Sequence, residues 1–547
     1  MEHEQIDKKY FQRRMGAMEI ERSSFIPHYK ETSAFVQPRK GNFSKQDRNN
    51  GKKKYTEIIN SAASDAHKIA RSGLLAGMMS PSRPWFKVQT ADTDLMEFQP
   101  VKVWLEIVER TINAVFNESN LYNMAPGMIG ELLTFGTGYM SHVDDFEDVA
   151  RFYTHTAGSY MIAQDERFVP NTAAREVEWT VHQLVRDFGI ENVSPSVRAA
   201  YDRSDYDTLY PMVHFVEPNP HMDKRSKLSV AKKFRSVYFE PGKDNNQFLS
   251  FKGFDEFPGY IARWDVTGED IYGTDCPAMT ALGDIKMLQV EEKRKAQAID
   301  KIVNPPLHGP GSLRNVPVSG LPGATTIYDA NGSAELKPVY QINPNLGELR
   351  LDIEAVEGRI NSAFMVDMFL AISRIEGIQP RNELDIASRN EERLLMLGPV
   401  LEQIQGEWAD KMINRTFNQC LKAGILPPAP EELSGAPLRI KYISTLAMAQ
   451  RAVSTQSIER YAAFGQSLVA GGWDGALDKF DADQAMDEYG RDIGVSPSII
   501  VPDDVVQANR QARAQEAEKR QALETLQSLS GSANQAAGAL DTVTGGQ

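Results

Sequence analysis

The residues best placed to do chemistry are His142, Asp144, Asp145, Glu147 and Asp148. Strand-like alternation would set His142 and Asp144 on one face, as a hydrolytic metal site needs. Acidic residues in a loop after a strand are far commoner, and that plainer reading is preferred. His155 and His214 fall inside strand patterns and read as core or interface histidines. Gly136-x-Gly138 is too short for a dinucleotide fingerprint and follows a helix where a strand is required, so it reads as a tight contact or a bend. Gly51-Lys52 and Gly242-Lys243 both lack the upstream glycine and the following Ser or Thr of a phosphate loop. HExxH, GxSxG and CxxC are absent. The two cysteines, Cys276 and Cys420, lie far apart, so neither a disulfide framework nor a thiolate zinc site is available and a reducing compartment is expected. No catalytic residue, cofactor or metal is expected.

Without an active site, architecture must carry the function. The chain has 547 residues, 41% hydrophobic and 24% charged, the composition of a globular protein with room for several domains. Lys and Arg number 60 against 74 Asp and Glu, a formal charge of -14 and a pI near 5.3. The basic surplus of a tight duplex binder is missing. An acidic protein can still handle DNA if its task is to let it pass without adhesion. Glu2, Glu4, Asp7, Glu19 and Glu21 rule out a signal peptide in the first thirty residues, and no run of 18 apolar residues predicts a membrane span.

Periodicity predicts a helix over 5–35 interrupted by Pro27, a small-residue helix from Tyr55 to near Pro81, a strand after Trp85, and helices over 101–117 and 128–133. Strands dominate 139–280, with predicted hairpins at 152–163 and 234–252 and short helices at 176–188 and 195–203. This is a mixed α+β body without βαβ alternation. From Pro277 a helix is predicted to reach Val303, roughly 40 Å long, with Leu282, Ile285, Leu288, Ile299 and Ile302 inward. Residues 304–345 then hold seven prolines and five glycines among 42 residues, which excludes a long helix. A second long helix follows on Leu346, Leu349, Ile353, Val356, Ile360 and Phe364, then a connection over 371–382. A third helix is predicted from Asn382 to Gly424, kinked at Pro399. A strand over 438–443 and helices at 446–470, 481–493 and 505–529 precede a Gly/Ala/Ser tail expected to be disordered.

Several segments together resemble the portal, or head-to-tail connecting, proteins of short-tailed bacteriophages. They are Ser72-Gly73-Leu74-Leu75-Ala76-Gly77 leading to Ser80-Pro81-Ser82-Arg83-Pro84-Trp85-Phe86; Phe135-Gly136-Thr137-Gly138-Tyr139; Ala262-Arg263-Trp264 with Tyr272-Gly273; and Asn361-Ser362-Ala363-Phe364-Met365. The likeness extends from about residue 8 to about residue 500. It implies a predominantly helical α+β portal fold assembled as a ring, a homo-oligomer of usually twelve subunits at one capsid vertex of the virion, built in the host cytoplasm. On this resemblance residues 1–276 and 383–444 form the wing, 277–303 and 346–370 the stem helices, and 304–345 the clip. Residues 371–382 form the tunnel loop, 445–504 the crown, and 505–547 a helix and tail. Double-stranded DNA would pass through the channel without sequence specificity during packaging and ejection. The large terminase, a tail adaptor, and the major capsid and scaffolding proteins would be partners. Twelve copies would carry a formal charge on the order of -170, which suits sliding and not sticking. Arg374, Ile375, Gln379 and Arg381 are the implied tunnel-loop residues, with Arg374 and Arg381 either touching phosphates or pairing with Glu376 and Glu383. Arg314, Tyr328 and Lys337 are the implied clip docking residues. The competing readings are another non-catalytic head-tail adaptor ring and a metal-dependent hydrolase centred on His142 and Asp144.

Overall fold

The computed structural model describes residues 7–43, 53–82, 84–90, 92, 95, 98–145, 147–223, 226, 228–242, 247–303, 307–308, 337–338, 345–375, 397–433, 438–443, 461–469, 471–473, 480–486, 501, 505–517 and 519. These fall into two compact units. The first is bounded by Met1–Trp85, Val108–Pro427 and Ser444–Gln450, the second by Phe86–Ile107, Pro428–Ile443 and Arg451–Gln547. The architecture is mixed helix and sheet, as the patterning predicts.

Helix α1 (Lys8–Ser23) starts at Asp7, whose side chain accepts the Lys9 N–H at 3.2 Å. Pro27 does not interrupt a longer helix. It occupies the first turn of α2 (Ile26–Val36), where its missing N–H has no helical partner to lose. Helix α3 (Ala62–Met78) begins later than periodicity predicts. Strand β1 (Phe86–Thr90), helix α4 (Gln99–Glu118) and helix α5 (Leu121–Phe135) follow. Helix α5 ends at Gly136, whose left-handed φ of 70° closes the C-terminus and turns the chain straight into a strand.

Strands β2 to β9 form two antiparallel sheets in the first unit. One has the order β3-β2-β9, from β2 (Thr137–Asp145), β3 (Val149–His155) and β9 (Gly259–Arg263). The other has the order β4-β5-β6-β7-β8, from β4 (Tyr160–Gln164), β5 (Pro170–Thr180), β6 (Leu209–Pro218), β7 (Phe234–Phe239) and β8 (Ser250–Phe254). The hairpin expected at 234–252 is present as β7 against β8, with Tyr238 opposite Ser250. The hairpin expected at 152–163 is not. Strand β3 pairs with β2 and β4 with β5, so the chain changes sheet at Ala157-Gly158. That turn is held from outside: the Ala157 carbonyl accepts the Asn42 N–H at 2.9 Å and the Ala157 N–H donates to buried Glu131 at 2.8 Å.

Residues 176–180 belong to β5, and helix α6 (Val181–Phe188) begins after them on a capping box of Thr180 and Gln183. Helix α7 (Pro195–Asp202) is capped by Ser194. One face of the five-stranded sheet buries Met161, Ala174, Val213, Phe215, Val237 and Phe239 against Phe11 and Met18 of α1. The opposite face packs Tyr160, Ile162 and Ala173 against Tyr139 and Ile261 of the other sheet.

In the second unit β12 (Leu438–Tyr442) pairs antiparallel with β1, Phe86 opposite Tyr442 and Thr90 opposite Leu438. Helices over 461–469, 482–486 and 505–517 follow, and Arg510 grips Asp483 through two hydrogen bonds of 2.6 and 2.7 Å.

Candidate functional site

The feature that sequence analysis singles out is a pair of helices around a Pro/Gly-rich insertion. Pro277 opens a single turn, α8 (Pro277–Thr280), and after Ala281 the chain enters α9 (Leu282–Val303), about 33 Å long. Beyond the insertion, Asn345 caps α10 (Leu346–Ala363), accepting the Glu348 N–H at 3.4 Å. Helix α10 runs back along α9. Arg359 donates to Asp284 at 2.9 Å near one end, and Glu291 faces Asp352 further along. Burial, together with that like charge, holds the Glu291 carboxyl above its ordinary range.

A polar clamp fixes this pair. The Gln289 side-chain Oε1 accepts the N–H groups of Ile59 and Asn60 at 2.6 and 2.8 Å, and the Asn60 side-chain amide donates to Glu292 at 3.2 Å and to Glu357 at 2.8 Å. Sequence reasoning missed both clamp residues. The one available signal was Gln289, a polar side chain one turn beyond Ile285 on the apolar face.

Burial along α9 corrects the prediction for its second half. Leu282, Ile285 and Leu288 are buried, but Ile299, Ile302 and Val303 are 42%, 44% and 78% exposed. On α10, Ile353, Val356 and Ile360 are buried whereas Leu346 and Leu351 are exposed. The apolar stripes therefore continue past the point where the described residues of this subunit cover them.

Between these helices, β10 (Leu307–His308) and β11 (Lys337–Pro338) pair antiparallel, with His308 opposite Lys337. Of the expected docking residues Lys337 thus lies on a strand, while Arg314 and Tyr328 lie outside the described residues. The second long helix also differs from expectation. It breaks at Phe364-Met365, where Met365 takes a φ of 54°, and resumes as α11 (Val366–Ile375). The first five residues of the expected 371–382 connection are therefore helical. Arg374 and Ile375 occupy the last turn of α11, and Gln379 and Arg381 lie outside the described residues, as does the third helix before residue 397. From there it runs over 397–404, through a π-helical turn at Gln405–Ala409, into α13 (Asp410–Lys422), the stretch 397–404 counting as α12.

The residues of the would-be metal cluster make other contacts. His142 is buried, lies tilted against Phe152 with ring centroids 4.5 Å apart and hydrogen-bonds the Tyr260 hydroxyl through Nδ1; burial, then Arg415, holds its pKa well below the ordinary value. Asp144 is mostly exposed and accepts from Arg415 at 3.4 Å. Asp145 folds back on the N–H groups of Glu147 and Asp148 and pairs with Arg151 at 2.8 Å. Among the described residues no group of three His, Cys, Asp or Glu is placed to hold a metal ion. His155 and His214 hydrogen-bond Ser141 and Ser236, at 2.8 and 2.9 Å.

The family model for bacteriophage head to tail connecting proteins matches residues 8–501. The portal protein of Salmonella phage epsilon15 is 42% identical over 520 residues, spanning 95% of this chain and 93% of that protein. The probable portal protein of Bordetella phage BPP-1 is 39% identical over 547 residues, spanning 98% and 97%. Among solved structures, the neck of an empty GTA particle computed with C6 symmetry aligns over 79% of this chain and 90% of that one, at 11% identity and a TM-score of 0.37. The chain belongs to the family of bacteriophage head-to-tail connecting proteins. Its function is that of a structural connector of the portal type.

Proposed function

We propose that about twelve copies of this chain close into a ring at one capsid vertex of the virion, after assembly in the host cytoplasm. In this ring α9 and α10 form the stem around a channel for double-stranded DNA, which is packaged inward and later ejected outward without sequence-specific contact. The single observation that carries the reading is the uncovered apolar outer half of the helix pair. Burying an Ile or Leu side chain contributes about 1.5–3 kcal/mol, which a neighbouring subunit would supply to Ile299, Ile302, Val303 and Leu351, exposed among the described residues. The net charge of -14 per chain suits a channel through which DNA slides.

Light scattering on the purified 61.1 kDa chain tests this. Wild type is expected to give a particle of about twelve subunits. An Ile302→Asp, Val303→Asp double variant should stay dissociated at concentrations where wild type is assembled. A wild type that remains monomeric while folded would overturn the ring.

Residues 304–345 are proposed as the clip, the surface that docks the ATP-driven large terminase and then the tail adaptor, with Arg314, Tyr328 and Lys337 as contacts. Residues 1–276 and 383–444 correspond to the wing, 371–382 with Arg374, Ile375, Gln379 and Arg381 to the tunnel loop, and 445–504 to the crown; the capsid and scaffolding proteins would surround them. Deleting residues 308–336 should leave rings that no longer stimulate the packaging ATPase. Undiminished stimulation by such rings removes the clip assignment.

A further inference from the structure

The three-stranded and five-stranded sheets meet across a polar seam that the connector function does not use. Register places Tyr160, Arg175, His214 and Tyr238 side by side on strands β4 to β7, Tyr160 opposite Arg175, Arg175 opposite His214 and His214 opposite Tyr238. Cross-strand partners project from the same face. Tyr139 and His155 of the three-stranded sheet, themselves register partners, come to this face: Tyr139 packs edge-on against Tyr160 at 5.3 Å and its ring lies 5.0 Å from that of His155. His214 stacks flat on Tyr238 at 4.0 Å.

Arg175 is the unbalanced member of this set. It is half-buried, its Nε is closed off from solvent with no hydrogen-bond partner, and the charged or ionisable groups near enough to act on it are the phenols of Tyr139 and Tyr238 and the two histidines. No carboxylate among the described residues acts on it. The fully buried arginines of this body each have one: Arg235 pairs with Glu217, Arg263 with Glu407 and Arg415 with Asp144. The histidines avoid the same problem by staying neutral, burial and the Arg175 charge holding His155 down to about 2 and His214 to about 3. A guanidinium has no such escape, because it does not lose its proton in proteins. A guanidinium partly closed off from water is normally paired, and among the described residues this one has no carboxylate.

We propose that the seam is a binding site for a small tetrahedral oxyanion of the phosphate class, held by the Arg175 guanidinium and the hydroxyls of Tyr139 and Tyr238. Charge-assisted hydrogen bonds to an oxyanion suit the planar guanidinium fork, and neither hydroxyl makes a hydrogen bond within the described structure. The flanking imidazoles, with Nε2 bonded to Ser141 and Ser236, bring no negative charge to oppose the ligand. The oxyanion is either free phosphate or a phosphodiester of DNA.

Calorimetric titration of inorganic phosphate into the full-length protein, with chloride as the ionic-strength control, tests the site. A single ion per subunit is expected, and phosphate should raise the melting temperature of wild type more than chloride does. Arg175→Gln should abolish both effects. Tyr238→Phe, which keeps the ring on His214 and removes one hydroxyl, should weaken phosphate binding by roughly tenfold, the equivalent of one such hydrogen bond. Wild type that fails to bind phosphate, or an Arg175→Gln protein that binds it equally, overturns the proposal, and the first result needs no variant to fold. Competition with a short DNA duplex separates the sources: displacement of phosphate assigns the site to the phosphodiester, and no displacement assigns it to the free ion.

Discussion

Replacing Glu407 with alanine is expected to destabilise the folded subunit by roughly 3–5 kcal/mol, the cost of stripping an enclosed cation of the carboxylate it pairs with among the described residues. Glu407 sits in the π-helical turn and its side chain is 12% exposed, against 4% for Arg263. The carboxylate accepts from Nε and Nη2 of Arg263 and also takes the Arg263 backbone N–H at 2.9 Å. Nη1 donates to Gln164 at 3.0 Å and to the Asp270 carbonyl at 3.2 Å, and Nη2 to the Phe168 carbonyl at 2.8 Å. Every guanidinium donor is used, so the arginine ties β9, the turn before β5 and the helix together. Removing the acid leaves those contacts in place around an uncompensated charge. An Arg263→Met, Glu407→Leu double variant should recover much of the loss, because it removes the charge as well as its partner. Urea unfolding of the full-length subunit, followed by fluorescence of the neighbouring buried Trp264 and Trp408, measures both. A Glu407→Ala protein within 1 kcal/mol of wild type (roughly the net value of an ordinary hydrogen bond) would show that the pair contributes little.

The second large effect is expected at Gly273. A Cβ there would lie 2.7 Å from the carbonyl carbon of Gly136 and closer still to its oxygen. That oxygen already accepts the Trp264 N–H at 2.8 Å, and the Gly273 N–H donates to Thr137 at 2.7 Å. The obstruction is backbone against backbone, so no side chain can rotate away. Gly273→Ala should cost roughly 2–4 kcal/mol. The matched control is Gly283→Ala on α9, where nothing stands within 4 Å of the added methyl and helix propensity alone predicts a gain of about 0.5–1 kcal/mol. Equal thermal stability of the two variants would contradict the close approach of Gly136 and Gly273.

How far the sequence could be read depended on whether a feature was local. The β7 and β8 hairpin was legible because both strands and their turn lie within twenty residues, and the Pro/Gly content of 304–345 set off the paired helices. The pairing of β1 with β12 was not legible, since two short strands 350 residues apart carry no mark of each other. Ile299 and Ile302 keep the same spacing as Leu282 and Ile285, so periodicity placed all four inward. A stripe is the same whether its cover comes from this chain or from the next one. The break at Met365 was missed because neither glycine nor proline stands there. The tunnel-loop and clip residues were assigned by resemblance alone, and of them Arg374, Ile375 and Lys337 fall among the described residues. Arg175 gave no signal at all, because a missing counter-ion is visible only once the surrounding strands are in place.

The bend at Met365 has a mechanical consequence. A residue other than glycine in the left-handed region is disfavoured by about 1–2 kcal/mol. Here it is held by Phe364 and Phe369, both fully enclosed on either side of the corner, with Phe369 seated where Gly73 of α3 has no side chain. Straightening α10 and α11 into one continuous rod would pull both rings into water. The elbow is therefore a rigid bracket and no hinge: whatever shape changes accompany the passage of a genome, the segment leaving Ile375 starts from a direction already set by two aromatic rings and one missing methyl.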